Sequence, residues 1–275
     1  MPNSDSVILH SDVAMTALVT GASSGIGLEF CHQLASMGIN LLMVSNQMQE
    51  LANARDTLAA KYPDQRFWAH YKDLAHPDAA DEIYAYCSQN GIVVDILINN
   101  AGIFSFKTIT DTTTDSLNLF IDLHMRTVTQ LCQRFAIDMK SRRSGYILNM
   151  SSMSCWMPMP GIGMYAATKA YIRVFSRSLA LELKDYGVGV TVACPGGIAT
   201  DLFGLPRNLQ RLGVKLGVLA TPQRFVSGAL KRMFNHKKQY INGFINRLAI
   251  VAVAILPDSM RLIVKHKLLD KNGTK

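Results

Sequence analysis

Short apolar runs alternate with longer stretches of 3.6-residue periodicity from residue 14 to about residue 194. The runs MTALVT (15–20), INLLMVS (39–45), RFWAHY (66–71), VDILIN (94–99), GYILNM (145–150) and GVTVAC (189–194) predict strands, several almost without polar breaks. Strands covered on both faces have that unbroken pattern, because both alternating sets of side chains are buried. Between them, residues 26–37, 47–60, 78–89, 116–140 and 164–186 carry helical spacing. Repeated strand–helix units of this length predict an α/β fold: a Rossmann-type, doubly wound, mostly parallel sheet with helices on both faces. Ligands of such sheets bind beyond the carboxyl ends of the strands.

The 275 residues suffice for a sizeable core and are read as one domain, residues 14–243, with an extension over 244–275. Five scattered cysteines show neither metal-ligand spacing nor a redox pair, so no metal is expected, and reduced thiols suit a cytoplasmic setting. The N-terminal residues lack the basic start and apolar run of a signal peptide. The net charge of +8 is divided unevenly. Up to residue 205 there are 14 Lys and Arg against 18 Asp and Glu, and from Pro206 onward 14 against 2. No aromatic–basic interleaving accompanies the charge, which argues against nucleic acid as the partner.

The first predicted strand runs into TGASSGIG (20–27) and then directly into a helical pattern. Gly21, Gly25 and Gly27 permit a tight turn and close backbone approach, and the following helix N-terminus presents free N–H groups to a diphosphate. Their spacing resembles that of the short-chain dehydrogenase/reductase family. The resemblance extends over residues 15–200, through Asp73-Leu74, NNAG (99–102), Ser152, Tyr165-x-x-x-Lys169 and PGGIAT (195–200). It implies a nicotinamide dinucleotide bound by Gly21, Ser23, Ser24, Gly25, Ile26 and Gly27 around the phosphates. Ser45, Asn46, Asp73 and Leu74 would meet the adenosine. Asn100, Ala101, Gly102, Tyr165, Lys169, Pro195, Gly196, Ile198 and Thr200 would complete the cofactor site, Lys169 by bonding the nicotinamide ribose. It also implies a substrate lid at about 201–221.

Tyr165 and Lys169, four apart on a helical pattern, share a face. Hydride transfer to a ketone leaves an oxygen that must receive a proton, and the reverse reaction must lose one. A phenol with a pKa near 10 serves as a base only if a nearby cation stabilises its anion, and Lys169 offers that charge. The resemblance adds Ser152 as holder of the substrate oxygen, with Ser151 as its weaker neighbour. The family's fourth catalytic member, an asparagine, aligns with His124, which either preserves the proton path or is simply packed on its helix.

Ser45 and Asn46 stand where an acidic residue would select NAD(H), so the chain leans towards NADP(H), with NAD(H) the alternative. The segment between Ser152 and Tyr165 contains Met153, Trp156, Met157 and Met159, adaptable apolar groups that suggest a substrate-pocket wall for a lipid-like ketone or alcohol. FINRLAIVAVAIL (244–256) is far short of the roughly twenty residues that span a bilayer. Flanked by Lys and Arg, it suits either a membrane surface or docking on the body. The expected function is interconversion of a ketone and a secondary alcohol on a 3-ketosphinganine, 3-oxoacyl or hydroxysteroid type of substrate. The resemblance also implies a homodimer or homotetramer paired through residues 116–140 and 164–186. The rival reading is a non-catalytic dinucleotide-binding or membrane-associated regulatory protein.

Overall fold

The computed structural model describes residues 14–199, 206–215 and 219–264. Seven strands form one parallel sheet: β1 (Thr16–Thr20), β2 (Asn40–Ser45), β3 (Phe67–Tyr71), β4 (Ile96–Asn99), β5 (Gly145–Met150), β6 (Val188–Ala193) and β7 (Gln239–Tyr240). Their spatial order is β3-β2-β1-β4-β5-β6-β7. The chain reverses direction across the sheet between β1 and β4, and the crevice at such a switch point is where this architecture takes its ligands.

The unbroken apolar character of the strands has a direct cause. In β1, Ala17 and Val19 join a core with Phe30, Leu34 and Phe225 on one face. Leu18 joins Leu42, Leu97, Leu131 and Phe135 on the other. Register agrees, Leu18 lying beside both Leu42 and Leu97. The helices covering these faces include α1 (Gly25–Ser36), α2 (Met48–Lys61) and α3 (Ala79–Gln89).

The single long helix expected over 116–140 is two helices. α4 (Thr114–Ile121) and α5 (Thr127–Arg142) are joined by a π-helical turn, Asp122–Arg126, that holds His124. Such turns cluster at functional sites. α6 (Gly163–Glu182) carries Tyr165 and Lys169. α7 (Arg207–Lys215) lies within the region read as a lid, whose residues 200–205 and 216–218 are outside the described ones.

α8 (Pro222–Phe234) begins with Thr221 accepting the Arg224 N–H at 3.3 Å and with proline in its first turn. It contributes Phe225, Val226 and Met233 to the core. β7 then pairs with β6 over only two residues. α9 (Phe244–Ala254) packs on a short 3₁₀ turn, Met153–Trp156, and α10 (Asp258–Val264) follows.

Candidate active site

At the carboxyl end of β1, Thr20 ties two loops together. Its Oγ1 accepts the N–H groups of Asn100 and Ala101 at 2.9 and 3.0 Å, while Asn100 Nδ2 donates to the Thr20 carbonyl at 3.0 Å. The glycine loop is thereby fixed to the NNAG loop. Gly21 has φ +65, and a Cβ on Gly27 would stand 2.0 Å from the Gly21 carbonyl oxygen. No acidic side chain lies in the first turn of α1 to compete for an anion there. This is a cradle for a diphosphate.

Tyr165 and Lys169 are buried, as is Ser152 at the end of β5. Ser152 Oγ accepts the Ser154 N–H at 3.1 Å, and its hydroxyl lies near enough to Tyr165 to favour the phenolate. The phenol is boxed by Phe104, its ring edge-on at 5.1 Å, and by His124 at 6.1 Å. Lys169 Nζ donates to the Met150 carbonyl at 3.0 Å and lies 5.7 Å from the centre of the Tyr165 ring. Ser151 turns away from this group, donating to the Lys169 carbonyl at 2.7 Å.

The expected lowering of the phenol pKa by Lys169 is corrected here. Burial pushes Tyr165 above the ordinary phenol value, and the Ser152 hydroxyl only partly opposes it. The Lys169 ammonium is directed to a main-chain carbonyl instead, and burial lowers its own pKa to about 8. Tyr165 is therefore a protonated acid at neutral pH.

These groups share one cavity of about 1080 Å³, larger than the roughly 300–1,000 Å³ of ordinary small-molecule pockets. Gly21, Ser23, Ser24, Gly25 and Ile26 line one part of it, with Ser45, Asn46, Asp73 and Leu74 beyond them. Asn100, Ala101 and Gly102 join Ser152, Tyr165, Lys169, Pro195, Gly196 and Ile198 around the rest. Gly27 lies beneath the loop, and Thr200 is outside the described residues. The glycine cradle, the helix N-terminus and the lining residues fit a dinucleotide.

The sequence profile of the short chain dehydrogenase family matches residues 15–208. The chain belongs to this family. A 17-beta-hydroxysteroid dehydrogenase type 3 of Mus musculus is 30% identical over 192 residues, 68% of this chain and 61% of the relative. A very-long-chain 3-oxoacyl-CoA reductase of Mycosarcoma maydis is 27% identical over 222 residues, 80% of this chain and 61% of the relative. The matches thus span about three fifths of the length of these two relatives. A solved short-chain dehydrogenase from Sphingobium yanoikuyae in complex with NADPH has a TM-score of 0.76 and 25% identity, covering 92% of this chain and 96% of that one.

His124 has both ring nitrogens engaged. Thr168 Oγ1 donates to the Tyr165 carbonyl at 2.9 Å, so it accepts from His124 Nδ1–H at 3.0 Å. Nε2 then accepts the Ile103 N–H at 3.1 Å. Burial, and after it the Lys169 charge, holds the imidazole well below its ordinary pKa. The neutral ring ties the NNAG loop to the helix of Tyr165.

Four substrate-wall residues are not brought to this cavity. Met153, Trp156, Met157 and Met159 do not line it. Trp156 packs with Ile172, Val192 and Cys194 under the Arg173 guanidinium, 4.5 Å from its ring, and α9 covers the turn. The apolar lining comes instead from Ile103, Leu119, Leu123 and Val214, with Lys72 beside Asp73. Sequence reading missed Ile103, Leu119, Leu123 and Lys72, while Val214 falls within the region read as a lid. The run of Lys72 into Asp73-Leu74 was the one available signal.

The buried Lys169 makes stability depend on pH. Below its folded pKa of about 8 the protein holds a buried ammonium; between 8 and the ordinary 10.5 only the unfolded chain keeps that proton. Stability therefore rises with pH across this window. The excess of this rise over that of Lys169→Met, read from urea unfolding of the cofactor-free protein, should be on the order of 3 kcal/mol. Parallel pH curves for the two proteins would contradict it.

Proposed function

We propose that the chain is an NADPH-dependent reductase of apolar, lipid-like ketones. The observation that carries this reading is the buried, protonated Tyr165 phenol, set with Ser152 inside the same cavity as the glycine cradle. A bound nicotinamide cofactor supplies the hydride. Ser152 orients the substrate oxygen by its hydroxyl, and Tyr165 Oη delivers the proton that the new alkoxide needs. Lys169 holds positive charge beside the developing anion and braces the helix against the end of β5. A phenol kept protonated favours the reductive direction.

Cofactor choice rests on the end of β2. Ser45 is buried and bonded to Ser23 at 2.9 Å, Asn46 follows it, and neither carries the carboxylate that would repel a ribose phosphate. Lys72, paired with Glu82 at 2.5 Å, lines the same part of the cavity beside Asp73. The NADPH named for the Sphingobium structure agrees with this choice. The apolar lining around Ile103, Leu119, Leu123 and Val214 suits an acyl chain, a sphingoid ketone or a steroid, as do the names of the two curated relatives. Pairing of two copies through α5 and α6 is supported by the exposed Ile137, Val174 and Leu181.

NADPH oxidation measured across 3-ketosphinganine, 3-oxoacyl and steroid ketones tests the reading. Turnover on at least one class is expected. NADPH binding with no turnover on any would replace this reading with the non-catalytic one. In the same assay, Asn46→Asp should raise the KM for NADPH on the order of 100-fold while improving NADH, since like charges set side by side cost several kcal/mol. An unchanged cofactor ratio would remove the assignment of this loop.

A further inference from the structure

The C-terminal helices leave a large apolar surface uncovered. α9 exposes Phe244, Ile245, Leu248 and Val251, with Ile255 just beyond its end, and α10 exposes Met260, Leu262 and Ile263. Phe244 and Ile245 are each more than 70% exposed, and apolar exposure grouped in this way marks an interaction surface. The spacing 244, 248, 251, 255 is one face of a helix. The opposite face is bound to the body: Ile250 is buried, and Asn246 sits so close to Gly196 that a Cβ there would meet it at 2.4 Å.

This surface borders the cavity. Gly196 lines it, and its N–H is held by Asn242 just before α9 at 2.8 Å. α7 borders it too, turning Gln210 and Val214 inwards while exposing Leu209 and Leu212. Charge decides what covers the surface. From Pro206 onward the sequence carries 14 Lys and Arg against 2 Asp and Glu, and Arg247 is exposed on α9 itself. Bringing two such segments together in a dimer would set like charges against each other, whereas an anionic bilayer complements them. Among the described residues no helix is long and apolar enough to cross a membrane. The eleven residues of α9 reach only about 16 Å, half the hydrocarbon thickness.

We propose that the exposed face of α9 and α10, with the outer leucines of α7, lies in the headgroup region of an anionic lipid bilayer. The apolar side chains enter the acyl boundary, the cations meet the lipid phosphates, and the cavity opens beside the lipid phase. This deepens the proposed activity, and rests on it, in one respect: an apolar ketone would reach Tyr165 from the bilayer without crossing water.

Sedimentation of the full chain with phosphatidylcholine vesicles, with and without phosphatidylglycerol, tests the proposal. The wild-type protein should sediment with the anionic vesicles and be released by salt. The double variant Ile245→Glu, Leu248→Glu should bind them at least about tenfold more weakly. Unchanged circular dichroism and NADPH binding would certify its fold; if they change, Leu248→Asn carries the same criterion. Equal sedimentation of variant and wild type, or none by either, overturns the proposal. So does light scattering that shows the variant breaking a wild-type oligomer, which would assign the face to a second copy. Turnover of a water-soluble ketone without vesicles is a separate readout. Its loss would sink the activity and leave the membrane result standing.

Discussion

Tyr165→Phe should lower kcat for ketone reduction by about 10³-fold, within the 10²- to 10⁴-fold that a positioned acid contributes, with NADPH affinity nearly unchanged. The phenyl ring keeps its place, because edge contacts with Phe104 and His124 involve the ring and not the hydroxyl. What is removed is one buried oxygen beside Ser152. Ser152 still accepts the Ser154 N–H, so the loss leaves no charge stranded and should cost stability only about 1 kcal/mol. The chemical step has no such reserve. His124 is neutral with both nitrogens engaged, and the Lys169 ammonium donates to the Met150 carbonyl. Neither group is placed to replace the phenol as donor. Steady-state kinetics beside a fluorescence titration of NADPH separates the two quantities. A variant within a few fold of the wild-type kcat would show that the proton comes from elsewhere.

Much of this was legible in the sequence, for physical reasons. The first six strands announce themselves because both faces of the sheet are covered, so Leu18 and Val19 are equally apolar though they join different cores. The glycine loop is legible because only glycine fits at Gly21 and Gly27. The four-residue spacing of Tyr165 and Lys169 correctly places both on one helix face, but cannot tell where Nζ points. Here a main-chain carbonyl captures it, and the phenol becomes an acid and not a softened base. The break in the helix at His124 escapes a periodicity argument, since one extra residue in a turn barely disturbs the pattern. The methionine-rich segment misled for another reason. Its composition demands cover, and α9, some ninety residues later, supplies part of it over residues 153–156. β7, two residues long, offers no pattern to read.

The second large effect lies away from the proton chemistry. Gly27→Ala should weaken NADPH binding by at least about 100-fold and lower stability by roughly 1–3 kcal/mol, the usual range for overpacking. The added methyl carbon would stand 2.0 Å from the Gly21 carbonyl oxygen, 2.7 Å from its carbon and 2.6 Å from Asn100 Nδ2. Two of those neighbours are backbone and cannot swing aside. The third is held by the Thr20 carbonyl, and Thr20 in turn holds the N–H groups of Asn100 and Ala101. Relief therefore requires the glycine loop to lift away from the helix N-terminus or the NNAG loop to release it. Either movement spoils the backbone cradle on which a diphosphate depends. Gly163→Ala is the matched control, because a methyl there meets nothing within 4 Å at the exposed start of α6. Isothermal titration with NADPH and thermal unfolding of both variants decide the matter. If Gly27→Ala binds like the control, the glycine loop is a structural turn and the cofactor lies elsewhere in the cavity.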